Sequence, residues 1–458
     1  MSVFRKILAF VLVVIIFLGV FLRLHYGFST DLWGDEAISF FIAKNTSWFD
    51  LIFSGPNYYD TVHPPFYYLF LKFFLIISNH DIYLRAISLI LFFPSAYLVW
   101  LIGRQIGDKT EALFALALFS THPLLVNLSF QVRSYSLTMF LVLVSIYEFI
   151  LQLKAPSSTK GILLGITLSL SFWTSYASIW LIIGLFLFLL MQILKHGKKI
   201  ITSFIPTILV FIFLSIFQFF KLLSALFAEF VAGSVIAGSV FSFNWQWFLQ
   251  ELELLTGLQV GFFSLFVLII VPCIFLQRNR EKISYLMTIL FVGSIFLSAL
   301  FSIFSSPIFL ARQLLVSAIA LVFIIAKLAT NTKSVVFILL VLCTYTYLSL
   351  QTYGFLFQTN INQKVQQYVQ NGDLILIFEK NHDYLDYYLF VNKKQAEVRV
   401  LSMNQLYNQK LLTTLEQKYQ RAIFFTHYCP EEKYNDCNQI VEDLQSQFCN
   451  NIFCKTVE

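Results

Sequence analysis

The residues best suited to chemistry gather just after the first apolar run of this chain. Trp33-Gly34-Asp35-Glu36-Ala37 sets two carboxylates side by side, and Asp31, Asp50, Asp60, His63 and Asp81 lie close by with few cations among them. A carboxylate pair at a membrane surface can hold a divalent metal, or one member can act as a general base. The same residues can also be inert, with Asp31 or Asp35 capping a helix over 36–44. His63-Pro64-Pro65 follows, where the prolines fix the backbone and the histidine is either a surface residue or a proton acceptor or metal ligand. Gln131-Val132-Arg133-Ser134-Tyr135 puts a cation at a membrane boundary, to snorkel or to pair with an anion. Arg312 falls just inside a late apolar segment, where a charge costs roughly 2.5–3.5 kcal/mol, and a phosphate or a structural ion pair would offset that cost.

The elements that must position these groups are membrane helices. Of 458 residues, 58% are hydrophobic and 12% charged, with a mean hydropathy of +0.75. About 25% charge is usual for a soluble domain. This composition excludes a soluble globular enzyme, a disordered chain and a nucleic-acid-binding protein. Apolar segments fill residues 1–353, and residues 354–458 have the mixed composition of a small globular domain. The first run, 7–22, follows Arg5 and Lys6, but it has no clear small-x-small cleavage site and reads as an uncleaved helix. Further spans are expected near 83–103, 111–128, 134–152, 161–175, 177–194, 200–222, 257–276, 283–304, 310–327 and 334–353, about 11 in all. The 161–194 stretch must then turn near Trp173–Ser178. Residues 66–78 are too short to cross and fit a helix lying at the interface.

Charge sets the orientation. The connections 104–109, 154–160, 195–199, 278–282 and 327–333 are basic and share one side if 66–78 does not cross. By the positive-inside rule that side is cytoplasmic, with the N-terminus, which places the acid-rich loop and residues 354–458 outside. Cys429, Cys437, Cys449 and Cys454 crowd the end of the chain without a CxxC pair, so two disulfides of open connectivity are expected rather than a metal cluster. Strands are expected at 374–378, 398–401 and 422–425, and helices near 360–370, 404–419 and 436–448, giving a small α/β unit. There is no nucleotide-binding glycine motif and no internal repeat.

The ordered set of motifs resembles the membrane-embedded glycosyltransferases of the C-type fold, and more narrowly the family of protein O-mannosyltransferases and lipid A aminoarabinose transferases (glycosyltransferase family 39-like). The resemblance rests on Trp33-x-Asp35-Glu36, on His63-Pro64-Pro65 before an aromatic-rich helix, on Arg133-x-Tyr135, and on Pro307-x4-Arg312, in order across most of residues 1–330. It implies an inverting transferase that takes a sugar from a polyprenyl-phosphate donor on the outer face and gives it to a hydroxyl of a protein, lipid or glycan. Asp35 is then the general base with Glu36 beside it. Arg312 and Arg133 bind the donor phosphate, and His63, Gln131 and Tyr135 contact substrate. No cofactor is required, with His63 a position where some relatives hold a divalent metal. Two departures stand out. Gln131 replaces a frequent Glu and bears on metal binding, and Gln313 replaces a frequent Tyr and bears on donor contacts.

The fold class expected is therefore an all-α polytopic membrane domain over 1–353, with a long first external loop carrying interfacial helices, followed by a small α/β extracytoplasmic domain over 354–458. The location is a plasma membrane, and the partners are the bilayer, the lipid-linked donor and an unknown hydroxyl acceptor, with no nucleic acid. A flippase or transporter of lipid-linked sugars would need polar residues deep in several spans, yet the spans are mostly clean and the acids lie outside. In a non-catalytic envelope assembly protein, Asp35 and Glu36 would only cap a helix. Cysteines introduced at Lys198 and Asn392 should react with an impermeant label from opposite sides of the membrane. Labelling from the same side would overturn the odd span count.

Overall fold

The computed structural model describes residues 3–53, 63–196, 199–236, 245–257, 282–304, 310–331, 342–350, 361–377, 383–400, 415, 417–425 and 453–457. The chain is a multi-pass, mostly helical membrane protein. It opens with α1 (Val3–Ser29), whose 27 residues span about 40 Å. Phe10, Phe17 and Phe21 stay exposed on α1 while Leu12 and Leu22 are buried, as expected of a helix with one face to lipid. Among the described residues, six helices are long and apolar enough to cross a membrane, or seven if one bent pair counts as a single span. Of the eleven spans expected, all but the first residue of 257–276 and most of 334–353 lie outside the described residues.

The bent pair is α7 (Lys109–Thr121) and α8 (Pro123–Phe130), which meet at 62°. Pro123 lacks an N–H and starts α8, leaving the last carbonyls of α7 without helical partners. Arg23 of α1 supplies them. Its guanidinium donates to the carbonyls of Phe119 (3.1 Å) and Ser120, and to Gly19 of its own helix (3.0 Å), while stacking over the Phe92 ring at 4.3 Å. The contact requires Gly19, where any Cβ would collide with the Ser120 carbonyl. The 161–194 stretch does divide, into α10 (Ser158–Thr174) and α11 (Ile179–His196), with the break at Ser175–Ser178.

Among the described residues, three short helices lie in the acid-rich loop: α2 (Gly34–Asn45), α3 (Trp48–Phe53) and α4 (Phe66–Leu75). Lys72, the charge within apolar α4, donates to the carbonyls of Ala43 (3.0 Å) and Lys44 (3.2 Å) and so closes the C-terminal end of α2. The chain then enters α5 (Asp81–Ile90) and α6 (Phe92–Ile106), which together make one 26-residue apolar span. Next come α9 (Tyr135–Lys154), α12 (Lys199–Ile236) and α13 (Trp245–Thr256), the last outside every expected span.

The C-terminal unit is a parallel sheet in the order β2-β1-β3-β4, formed by β1 (Leu374–Ile377), β2 (Glu397–Val400), β3 (Arg421–Phe425) and β4 (Phe453–Val457). All four residues of β1 are buried, as the interior of a parallel sheet demands. The helix Asp383–Val391 and strand β4 are additions to the elements read from sequence. Cys454 is disulfide-bonded. Cys429, Cys437, Cys449, the domain boundary near 354 and the helix expected at 436–448 lie outside the described residues. One hydrophobic core joins this unit to the loop helices and α5: Phe40, Tyr67 and Leu84 pack with Ile361, Val365, Tyr387 and Ile423.

Arg23→Leu should leave the α7 carbonyls buried and unpaired, a loss of about 1–3 kcal/mol for each group left unpaired. The expected result is a lower thermal midpoint of the detergent-solubilised protein. An unchanged midpoint would mean the bend is held by other contacts.

Candidate active site

The site begins at the N-terminus of α2. Trp33 takes the capping position in extended backbone, so neither Asp31 nor Asp35 caps the helix. The returning side chain is Glu36, whose Oε2 accepts the Trp33 N–H at 3.1 Å. Glu36 is fully buried. Its Oε2 pairs with Arg85 Nη2 at 2.8 Å, and its Oε1 accepts the Val132 N–H at 2.7 Å. Arg85, equally buried on α5, also donates to the Asp31 carbonyl (2.7 Å) and to the Thr30 hydroxyl. The carboxylate read as partner to Asp35 in catalysis is thus wholly engaged in holding three chain segments together.

Asp35 faces the other way, into a cavity of about 410 Å³ that His63, Arg133, Tyr135 and Arg312 also line. Arg312 sits on the tight turn Ala311–Gln313, with Nη1 3.5 Å from Asp35 Oδ2. Arg133 Nη2 is 3.8 Å from the same oxygen. The two arginines differ in freedom. Arg133 is 8% exposed. It donates to Ser39 Oγ (3.0 Å), to the Asp35 carbonyl (3.2 Å) and to His63 Nε2 (3.2 Å). Burial works against its charge, but Tyr135, Tyr68 and Asp35 outweigh that and hold its pKa above the usual arginine value. Arg312 keeps 41% of its side chain exposed.

A second cavity, of about 790 Å³, adjoins the first, and Tyr135 and Arg312 border both. Trp33, Leu124, Leu254 and Leu348 give it apolar walls, with Gln131, Glu251 and Arg312 among its polar groups. Gln131 is buried and donates to Asn127 Oδ1 at 2.9 Å. Of the residues singled out in the sequence, Asp35, His63, Arg133, Tyr135 and Arg312 therefore share one cavity and Gln131 lines its neighbour. Glu36 lines neither cavity, and Pro307 lies outside the described residues. Ser39, Arg85 and Glu251 were not anticipated. A charge inside the apolar stretch 81–106 was a readable signal for Arg85. Glu251 belongs to no motif.

A family model, dolichyl-phosphate-mannose-protein mannosyltransferase, matches residues 62–221. No curated protein matches the chain in sequence. The apo oligosaccharyltransferase of Archaeoglobus fulgidus superposes with a TM-score of 0.54 at 13% identity, covering 99% of this chain and 70% of that one. Apo ArnT of Cupriavidus metallidurans gives 0.53 at 12% identity, covering 89% of this chain and 88% of its own. The fold is that of the C-type membrane glycosyltransferases. The chain is similar to their protein O-mannosyltransferase and aminoarabinose transferase branch. ArnT bound to undecaprenyl phosphate also superposes, at 0.53 and 11% identity over 99% of this chain and 90% of that chain.

Among the described residues, the groups around His63 do not fit a divalent cation. A guanidinium can only donate, so His63 Nε2 accepts from Arg133 and a metal there would meet a fixed positive charge. Among the described residues, no three His, Cys, Asp or Glu side chains converge to hold a metal ion.

Glu36→Gln and Arg85→Met each strand a buried charge, and each should cost about 3–5 kcal/mol. Asp35→Asn should leave the thermal midpoint nearly unchanged. Equal destabilisation by all three variants would make the Asp35 side chain structural as well.

Proposed function

We propose that this chain is an inverting glycosyltransferase that moves a sugar, hexose or pentose, from a polyprenyl-phosphate carrier to a hydroxyl acceptor at the outer face of a plasma membrane. The observation that carries the reading is the pairing of Asp35 with a half-open arginine, Arg312, inside a cavity at the end of membrane helices. The C-type fold supports it, as does ArnT, a structural neighbour that binds undecaprenyl phosphate.

In this reading Asp35 removes the proton of the acceptor hydroxyl, and the acceptor oxygen attacks the anomeric carbon from the face opposite the phosphate. The bond from that carbon to the phosphate oxygen breaks, and the electron pair leaves with the polyprenyl phosphate. A positioned base contributes typically 10²–10⁴-fold. Arg312 meets the growing negative charge of the leaving group, which a fixed guanidinium stabilises best where water is scarce. Arg133 acts one step back, since its bonds to Ser39, His63 and the Asp35 carbonyl fix the position of the base rather than reach for the donor. Tyr135 and Gln131 contact substrate where the two cavities meet. Residues 354–458 form an exported domain beside the site, and the N-terminus lies in the cytoplasm.

Asp35→Asn is the direct test, assayed against a panel of short-chain polyprenyl-phosphate hexoses and pentoses with native membranes as acceptor source. Transfer should fall about 100- to 10,000-fold, with undecaprenyl phosphate still bound. Wild-type transfer in the variant would remove Asp35 as the base. Absence of transfer from every donor by the wild-type protein would favour a carrier or assembly role.

A further inference from the structure

We propose that Glu251 is a positioning residue for Arg312, fixing the turn from which that arginine reaches the donor phosphate. The inference rests on the reading of Arg312 given above and adds a residue outside every motif of the sequence.

Arg312 is a long side chain on a very short element. The turn Ala311–Gln313 is closed by two bonds of its own, Gln313 N–H to the Leu310 carbonyl (2.8 Å) and Leu314 N–H to the Ala311 carbonyl (3.0 Å). The N–H of Ala311 is one of the donors that a helical first turn leaves unpaired, and Ala311 is buried at 2% exposure. Glu251 Oε2 accepts that N–H at 2.6 Å, from α13 and 60 residues away in sequence. So short a bond to a carboxylate is of the strong, charge-assisted kind. Burial raises the pKa of Glu251, while the Ala311 N–H and the positive charge of Arg312 act to keep the carboxylate ionised.

Placement gives the bond its consequence. Arg312 borders both cavities, Asp35 lines the smaller and Glu251 the larger. Among the described residues, the guanidinium is held toward Asp35 by a long contact of 3.5 Å, which an arriving phosphate can replace. The bond between Glu251 and Ala311 involves the backbone and does not compete with the phosphate. It keeps the base of the arm fixed while its tip exchanges partners. A turn already ordered before binding does not lose that freedom on binding.

The test titrates the full-length, detergent-solubilised protein with undecaprenyl phosphate. Arg312→Ala should weaken binding about 10- to 100-fold, the range of a hydrogen bond to a charged group. Glu251→Ala should weaken it several-fold with Arg312 intact, and Glu251→Gln, whose amide oxygen still accepts the Ala311 N–H, should restore most of the affinity. Ala311→Pro removes the same bond from its other end at a position where proline suits the first residue of a turn; it should match Glu251→Ala and keeps the test open if that variant fails to fold. In the Arg312→Ala background, Glu251→Ala should have no further effect, which a general loss of stability would not reproduce. Wild-type affinity in both Glu251→Ala and Ala311→Pro, or additive losses in the double variant, would overturn the positioning role. Unchanged affinity in Arg312→Ala would instead overturn the assignment of the phosphate to Arg312.

Discussion

A buried carboxylate and a buried guanidinium hold this site together. Glu36 and Arg85 are at most 1% exposed, and neither charge could be kept in such surroundings without the other. Between them they take up the Trp33 and Val132 N–H groups, the Asp31 carbonyl and the Thr30 hydroxyl. The end of the first membrane helix, the start of α2, the span beginning with α5 and the segment leading into α9 therefore meet at one ion pair. The helical repeat does the rest. Neighbouring residues point about 100° apart, so a Glu36 turned into the protein leaves Asp35 turned outward. An adjacent pair of acids thus takes unlike surroundings, Glu36 buried against Arg85 and Asp35 lining a cavity.

The two arginines beside Asp35 differ in burial and in partners. Arg133 is enclosed and its donors are directed at Ser39, His63 and the Asp35 carbonyl. Arg312 is half-exposed at the border of both cavities. In the proposed reaction, phosphate recognition needs donors that can face a ligand, whereas fixing a base needs donors that cannot leave. The sequence places Arg133 at a membrane boundary and Arg312 just inside a late apolar segment, and the resemblance alone gives both to the donor phosphate; their surroundings in the structure differ.

What was legible in the sequence follows from how local each signal is. Asp35, His63, Arg133 and Arg312 stand out as charged or polar residues beside apolar runs and Tyr135 through the Arg-x-Tyr motif of the resemblance, and the fold brings those five to one cavity. Glu36 was legible as a residue but not in its role, since its partner Arg85 lies 49 positions away in what reads as an unbroken span. Glu251 was invisible for the same reason, its significance lying in a backbone N–H 60 residues distant. Hydropathy counts apolar residues, and it does not show that Arg23 can hold the carbonyls of a bent helix or that His122-Pro123 breaks an apolar run by 62°. Strand β4 is a short mixed run, Phe-Cys-Lys-Thr-Val, recognisable as a strand only through its pairing with β3.

The C-terminal unit is bound into the same arrangement. A parallel sheet must be covered on its faces, and the helix Asp383–Val391 packs on the unit's core while also burying Phe40 of α2 edge-on against Tyr387 at 4.8 Å. The Tyr388 hydroxyl accepts the Leu32 N–H at 2.7 Å and faces Asp81 Oδ2 at 3.3 Å, and Asn362 donates its N–H to Asp31 at 3.0 Å. These contacts fall on the residues that flank the Glu36–Arg85 pair, one turn before Asp35. The helix carrying Asp35 is thus clamped from two directions, by membrane helices through the ion pair and by the C-terminal unit through its tyrosines. A unit gripping the chain at Asp31–Leu32 cannot move without disturbing the start of α2, so the placement of Asp35 is a property of the whole described structure and not of the first loop alone.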